Sequence, residues 1–287
     1  MSEGYFYQCT RGAAGQERFF AGELTRGPWS NDHQHGGPPS ALLLRAIEVA
    51  GNRADPQPMQ LTRISVELLR PVPLAAPLEV ETEILARGRK VQRIAAALVS
   101  GEEQLAVAVA VRVRVQEIAV EVRSHDEGLL PPPAAGRPFE FGFFRHELAY
   151  HKAIELRAVR GEQGDGSMAV WARPRVPLIE GESCSVLEKI MICADAGHGV
   201  GMALDTSRWS FVNPDLSVHL HRLPAGDWLG MEARTWTGGM GIGLCRTRLL
   251  DASGEVGCVL QGQVIQQVPE TTNKYCVNPT EREPNRE

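Results

Sequence analysis

Apolar and polar residues alternate along Ile64-Ser65-Val66-Glu67-Leu68-Leu69-Arg70 and again along Leu216-Ser217-Val218-His219-Leu220-His221-Arg222. That is the period of a half-buried strand. The two stretches lie 152 residues apart, and the segments after them match in order. A Pro-containing turn comes first, with Pro71 and Pro73 in one copy and Pro224 in the other. A second alternating strand carries Leu78, Val80, Thr82 and Ile84, or Leu229, Met231 and Ala233. Next come a glycine turn (Gly88; Gly238, Gly239 and Gly241), a third strand, and a tight turn at Ser100-Gly101 or Ser253-Gly254. A long last strand closes each series, Leu105–Val115 and Val256–Val268. An ordered series at one offset reads as an internal repeat.

A helix is predicted upstream of each strand set. Pro38-Pro39-Ser40 opens an apolar run, Ala41–Ala50, with Gly51 expected to close it. In the second copy Ser185-x-x-Glu188 is a capping box, and Leu187, Ile190, Met191 and Ala194 follow at helical spacing. Weaker strand-like sequence, Arg18–Leu24 and Ala153–Val159, precedes each helix. Both helices are apolar on more than one stripe, as suits a helix surrounded by sheet. The expected fold is α+β: two repeats, each a long helix wrapped by an antiparallel sheet. Residues 1–123 form the first repeat and 149–269 the second. Residues 124–148, with Pro131-Pro132-Pro133, read as a linker, and 270–287 as a polar tail.

Composition narrows the class. Across 287 residues, 43% are hydrophobic and 23% charged, which allows a sizeable core and excludes a mostly disordered chain. Thirty basic against 35 acidic residues give a formal charge of −5, so no nucleic-acid partner is expected. No secretory signal opens the sequence, and no apolar run approaches the ~18 residues of a membrane helix, so no membrane partner is expected either. Cysteines 9, 184, 193, 245, 258 and 276 are scattered without a C-x-x-C pair. They read as reduced thiols of a cytoplasmic protein.

The order of features resembles the acyl-CoA thioesterases of the double hot-dog superfamily, the type II and thioesterase-like branch. The resemblance runs from Trp29-Ser30-Asn31-Asp32-His33-Gln34-His35-Gly36-Gly37 to Gln261-Gly262-Gln263. Its most specific stretch is Asn213-Pro214-Asp215-Leu216-Ser217-Val218-His219-Leu220-His221-Arg222, followed by Gly226-Asp227-Trp228. It implies a double hot-dog fold and hydrolysis of acyl-CoA by water attack, with no cofactor. It also implies a homodimer or homotetramer.

Misplaced polar residues mark the candidate site. Asp195 lies in the apolar run Ile190–Gly197. It is either a helix-end residue facing water or a buried carboxylate that needs partners. Asn213 before Pro214 reads as turn initiation as readily as chemistry. Gln261 sits mid-strand on a face that alternation alone does not assign. The resemblance implies that Asp195 is the catalytic aspartate and that Asn213 and Gln261 help hold the attacking water. Asn213 stands where the family carries a hydroxyl residue, and its amide retains hydrogen-bonding capacity.

At the offset of 152, Asn213 falls on Leu61; with one gap, Gln261 falls on Ala108. The first helix has no aspartate in its apolar body. One constellation per chain, built from the second copy, is therefore expected. The first copy contributes Gly36 and Gly37, whose N–H groups at a helix start can polarise a carbonyl oxygen. His35 either touches substrate or caps the turn before Gly36.

His33 with His35, and His219 with His221, lack a third ligand at metal-binding spacing, so no metal is expected. Cys193 and Cys258 lie in apolar surroundings that favour an inert thiol. Gly238-Gly239-Met240-Gly241-Ile242-Gly243 reads as a hairpin turn rather than a phosphate loop. The alternatives to hydrolysis are a non-catalytic acyl-CoA or lipid binder and a hot-dog enoyl-CoA hydratase. Asn213-Pro214 matches part of the G-D-x-N-P-x-H pattern of the latter, but no Gly-Asp precedes it and no His follows two residues after Pro214.

Overall fold

The computed structural model describes residues 4–13, 15–121 and 128–268. The expected polar tail, Cys276 and part of the expected linker lie outside the described residues. A hairpin of β1 (Tyr7–Arg11) and β2 (Glu17–Ala21) comes first. The first half continues with α1 (Gly37–Ala54), β3 (Met59–Leu68), β4 (Glu79–Arg87), β5 (Val91–Ser100) and β6 (Glu103–Arg114). The second opens with β7 (Arg137–Phe139), α2 (Tyr150–Ala153), β8 (Ile154–Arg160), β9 (Ser167–Pro174), α3 (Val186–Ala194) and α4 (Gly197–Val200). It ends with β10 (Trp209–Val212), β11 (Asp215–Leu220), β12 (Leu229–Thr237), β13 (Ile242–Asp251) and β14 (Gly254–Gln267).

All strands from β3 onward join one antiparallel sheet, ordered β4-β5-β6-β3-β11-β14-β13-β12-β9-β8-β7, with β10 beside β14. Its centre is the pairing of β3 with β11, the two copies of one strand. Ser65 faces Ser217 there, and the Ser217 hydroxyl donates to Ser65 Oγ at 3.0 Å across a separation of 152 residues. Because that separation equals the repeat offset, a pseudo-two-fold axis passes between the two serines. The register also corrects the gapped sequence match. Val66 faces Ala108, as Val218 faces Val259. Ala110 is therefore the counterpart of Gln261, and Arg112 the counterpart of Gln263.

The helices differ from the expected pair of long, wrapped helices. α1 spans 18 residues and buries Gly37 to Leu44, Ile47 and Gly51. Gly51 does not end it; a Cβ there would collide with the Arg112 guanidinium, so the glycine makes room inside the helix. α3 has only 9 residues, begun by the predicted capping box: Ser185 Oγ accepts from Glu188 N at 3.1 Å, and Glu188 Oε2 accepts from Ser185 N at 2.7 Å. The chain stays buried through Val200 but breaks at Asp195 into the single turn of α4. Glycines at 197, 199 and 201 make a continued helix costly here, and the apolar pattern alone did not register that cost.

The long last strand, β14, is no exposed edge: β13 flanks it on one side and β11 and β10 on the other. The main strand path ends at β4, which carries Glu79, Glu81 and Glu83, and at the three-residue β7; β10 pairs only with β14 among the described residues. Charge on an edge strand discourages further pairing. β7 lies within the stretch read as linker. The glycine-rich turn joins β12 to β13 as a hairpin, with Gly238 N donating to Ile242 O at 2.7 Å.

Candidate active site

Asp195 follows the last residue of α3 and is 1% exposed. It is thus at a helix end, as one of the two expectations held, yet faces the interior. Asn213, between β10 and β11, is buried, and Gln261 on β14 is completely so. The three converge. Asp195 Oδ1 accepts from Asn213 Nδ2 at 2.8 Å and from Gln261 Nε2 at 3.2 Å. The face of β14 that carries Gln261 is therefore the inner one. Two amide donors on one carboxylate oxygen fix its orientation.

The other carboxylate oxygen looks toward the first half. His35 Nδ1 lies 3.0 Å from Asp195 Oδ2. The same Nδ1 is 3.2 Å from Gly37 N, and one ring nitrogen cannot both donate to Asp195 and accept from Gly37. A lone pair aimed at a carboxylate is repulsive, so the proton belongs on Nδ1 and points at Asp195. Gly37 N–H points at this same ring nitrogen. It matters because Pro38 and Pro39 supply no N–H, and Ser40 N is bonded to Gly36 O at 3.1 Å. Burial lowers the His35 pKa to about 4, outweighing the opposing pull of Asp195, with His198 pushing the same way as burial. The ring is neutral near pH 7. Tyr150 stacks on it at 3.6 Å between centroids and donates its hydroxyl to Ile192 O at 2.6 Å.

Gly36 and Gly37 serve different ends. Gly36 has helical backbone angles open to any residue, φ −67° and ψ −20°. A Cβ on it would nevertheless sit 2.8 Å from Asp195 Oδ2. The glycine lets the backbone before α1 pack closely against that oxygen and Leu68. A Cβ on Gly37 would come 2.5 Å from Ile192 O, so Gly37 lets the start of α1 pack against the end of α3.

Two features of the site had not been expected from the sequence. His198, on α4, is 5% exposed, and its Nδ1 lies 3.2 Å from Gln261 Nε2. Burial lowers its pKa, against the pull of Asp195. A histidine three residues past a suspect aspartate, inside a buried glycine run, was the available signal. The second feature is aromatic. Phe144 stacks with His35, Phe143 with Trp29, and Phe211 meets the rings of Trp29 and His198 edge-on. Four of the chain's 8 phenylalanines fall in residues 139–144.

Other groups stay apart from this chemistry. Cys193 is fully buried, and burial pushes its thiol well up. Among the described residues no group of three His, Cys, Asp or Glu is placed to hold a metal ion. No helix among them is long and apolar enough to cross a membrane. A surface cleft of about 510 Å³ at the start of α3, lined by Tyr5, Arg175, Glu182 and Lys189 among others, includes none of the site residues.

Residues 25–115 match the acyl-CoA thioesterase N-terminal domain, and residues 126–265 the corresponding C-terminal domain. No curated protein matches the chain. Among solved structures, a protein assigned as a thioesterase from Novosphingobium aromaticivorans is 19% identical. It covers 89% of this chain and 97% of its own, with a TM-score of 0.72. A hot-dog-fold protein from Alicyclobacillus acidocaldarius is 15% identical, covering 91% and 96%, with a TM-score of 0.68. The acyl-CoA thioesterase II TesB2 of Mycobacterium marinum is 15% identical, covering 92% and 97%, with a TM-score of 0.63. At these identities the likeness establishes the hot-dog fold, and the matched domains establish the rest: the chain belongs to the acyl-CoA thioesterase family and is a thioester hydrolase acting on acyl-CoA.

Proposed function

We propose that hydrolysis takes place at Asp195, with water attacking the thioester directly. The observation that carries this is the convergence of Asn213, Gln261 and His35 on one buried carboxylate, with Gly36 close against its second oxygen. The amide donors of Asn213 and Gln261 are spent on Asp195 itself and hold the base rather than the water, a change from the role the resemblance implied. A water beside Gly36 gives its proton to Asp195 Oδ2 and attacks the carbonyl carbon. Gly37 N–H polarises the carbonyl oxygen from the start of α1. The tetrahedral intermediate then collapses with cleavage of the carbon–sulfur bond, and the thiolate of CoA departs. The proton held by Asp195 is passed to the products.

The test is thiol release from a panel of acyl-CoAs, run beside loss of enoyl-CoA absorbance. Thiol release with unchanged enoyl absorbance supports the proposal. Enoyl loss without thiol supports a hydratase, and tight binding without either signal supports a non-catalytic binder.

The division into repeats at 1–123 and 149–269, joined through 124–148, is part of the same proposal. So are a cytoplasmic setting with reduced thiols and assembly into a homodimer or homotetramer. The outer sheet face supports assembly: Val212, Val264 and Ile242 lie in one row and Leu244 and Trp236 in the next, all exposed. Apolar patches of this kind mark interfaces. Sedimentation of wild type against Leu244→Glu checks the assembly; a monomeric wild type would rule it out.

A further inference from the structure

Two residues past Gln261 on the same inner face of β14 stands Gln263, only 4% exposed. Its Oε1 is buried without a hydrogen-bond partner among the described residues, and so is Oε1 of Gln261, whose Nε2 is turned to Asp195. Two strand positions span about 7 Å, so Gln261 and Gln263 follow one another along a strip of the inner face of β14, leading away from the carboxylate. The fold makes room for it. Gly243 lies opposite Gln263 on β13, and a Cβ there would come 2.6 Å from Gln263 Oε1. Phe211, paired with Ile265, and Trp29 continue the strip with rings 5.2 Å apart.

The first half treats the same place differently. The counterpart of Gln263 is Arg112, fully buried, and the counterpart of Gly243 is Gln92, which faces Arg112 across β5 and β6. Arg112 donates to Gln92 Oε1 at 2.8 Å and to Asn52, and its Nε lies 2.9 Å from Glu48. That position is occupied by three side chains of its own half, two hydrogen-bonded and one ion-paired. Gln263 keeps an acceptor free in an interior where unmet acceptors are uncommon.

We propose that Gln263 is a specificity-determining residue that accepts a hydrogen bond from a hydroxyl group on the acyl chain, so that the preferred substrates are hydroxyacyl-CoA thioesters. The proposal deepens the reading of Asp195 as the reacting centre and rests on it. Its test is a binding measurement that needs no turnover. Thioether analogues of acyl-CoA, with methylene in place of the carbonyl, are made in pairs with and without a hydroxyl stepped from the third to the sixth carbon. Calorimetry on the full chain should show one hydroxylated analogue binding about 10-fold tighter than its plain partner. Gln263→Met should erase that preference while the plain analogue binds within about 3-fold of wild type. Gly243→Ala, which displaces the Gln263 oxygen, should do the same. Equal binding within every pair overturns the proposal, because internal water then meets the need of Gln263; so does discrimination that survives both substitutions. Absence of thiol release from every acyl-CoA would instead sink the reading of Asp195, leaving this binding comparison intact.

Discussion

Leu61 and Asn213, Ala110 and Gln261, and Arg112 and Gln263 occupy matching places in the two halves. In the first half two of the three are apolar, and the third is a guanidinium held by Glu48, Gln92 and Asn52. In the second half all three are amides, two of them on Asp195. The helices follow suit. α1 runs 18 residues and covers Arg112, whereas α3 stops after 9 and leaves Asp195 at its broken end. The helix starts differ as well. His35, just before α1, meets Asp195 of the second half. Glu182, just before α3, meets Arg45 of the first half at 3.0 Å, and Glu17 meets the same arginine at 2.8 Å. After duplication one half kept polar groups with unspent capacity, and the other spent its own on ion pairs.

The comparison can be broken at several points, from the largest expected effect downward. Asp195→Asn removes the base and should lower kcat about 10³-fold, with little change in the melting temperature. Arg112→Met should do the reverse, leaving Glu48 without its partner, costing about 4 kcal/mol in chemical denaturation and leaving kcat within about 2-fold. Acid should strike the second-half site through His35. Its pKa is about 4 in the folded chain and 6.5 as the ordinary value, so the unfolded chain binds the extra proton first. Stability is then fully present above pH 6.5 and declines by about 3 kcal/mol as the pH falls to 4. His198, also lowered, adds in the same direction. Denaturation curves at stepped pH should show this slope, and His35→Gln should flatten it. Asn213→Ala takes one of two donors from Asp195 Oδ1 and should lower kcat about 10-fold.

Much of this architecture is legible in the sequence. The repeat, the strand order within each unit and the capping box at Ser185 come from periodicity and local hydrogen-bond chemistry, which act over a few residues. The polarity of Asp195, Asn213 and Gln261 against Leu61 and an apolar counterpart in β6 marked the candidate site. The illegible part depends on contacts across the fold. Gly51 looked like a helix stop because the sequence does not reveal that Arg112 will lie against it. Replacing the match of Gln261 to Ala108 with Ala110 needed the strand register. His198 and the aromatic cluster around Phe143 and Phe144 lie in segments whose local pattern gives no direction for their side chains.

The claim that only the second half retains an open site is tested most directly by the stoichiometry of a tight thioether analogue of acyl-CoA, titrated calorimetrically against the full chain. One molecule per chain is predicted, with binding lost in Gly36→Leu, whose side chain would stand against Asp195 Oδ2, and kept in Arg112→Met. Two molecules per chain, or one that survives Gly36→Leu, would contradict it.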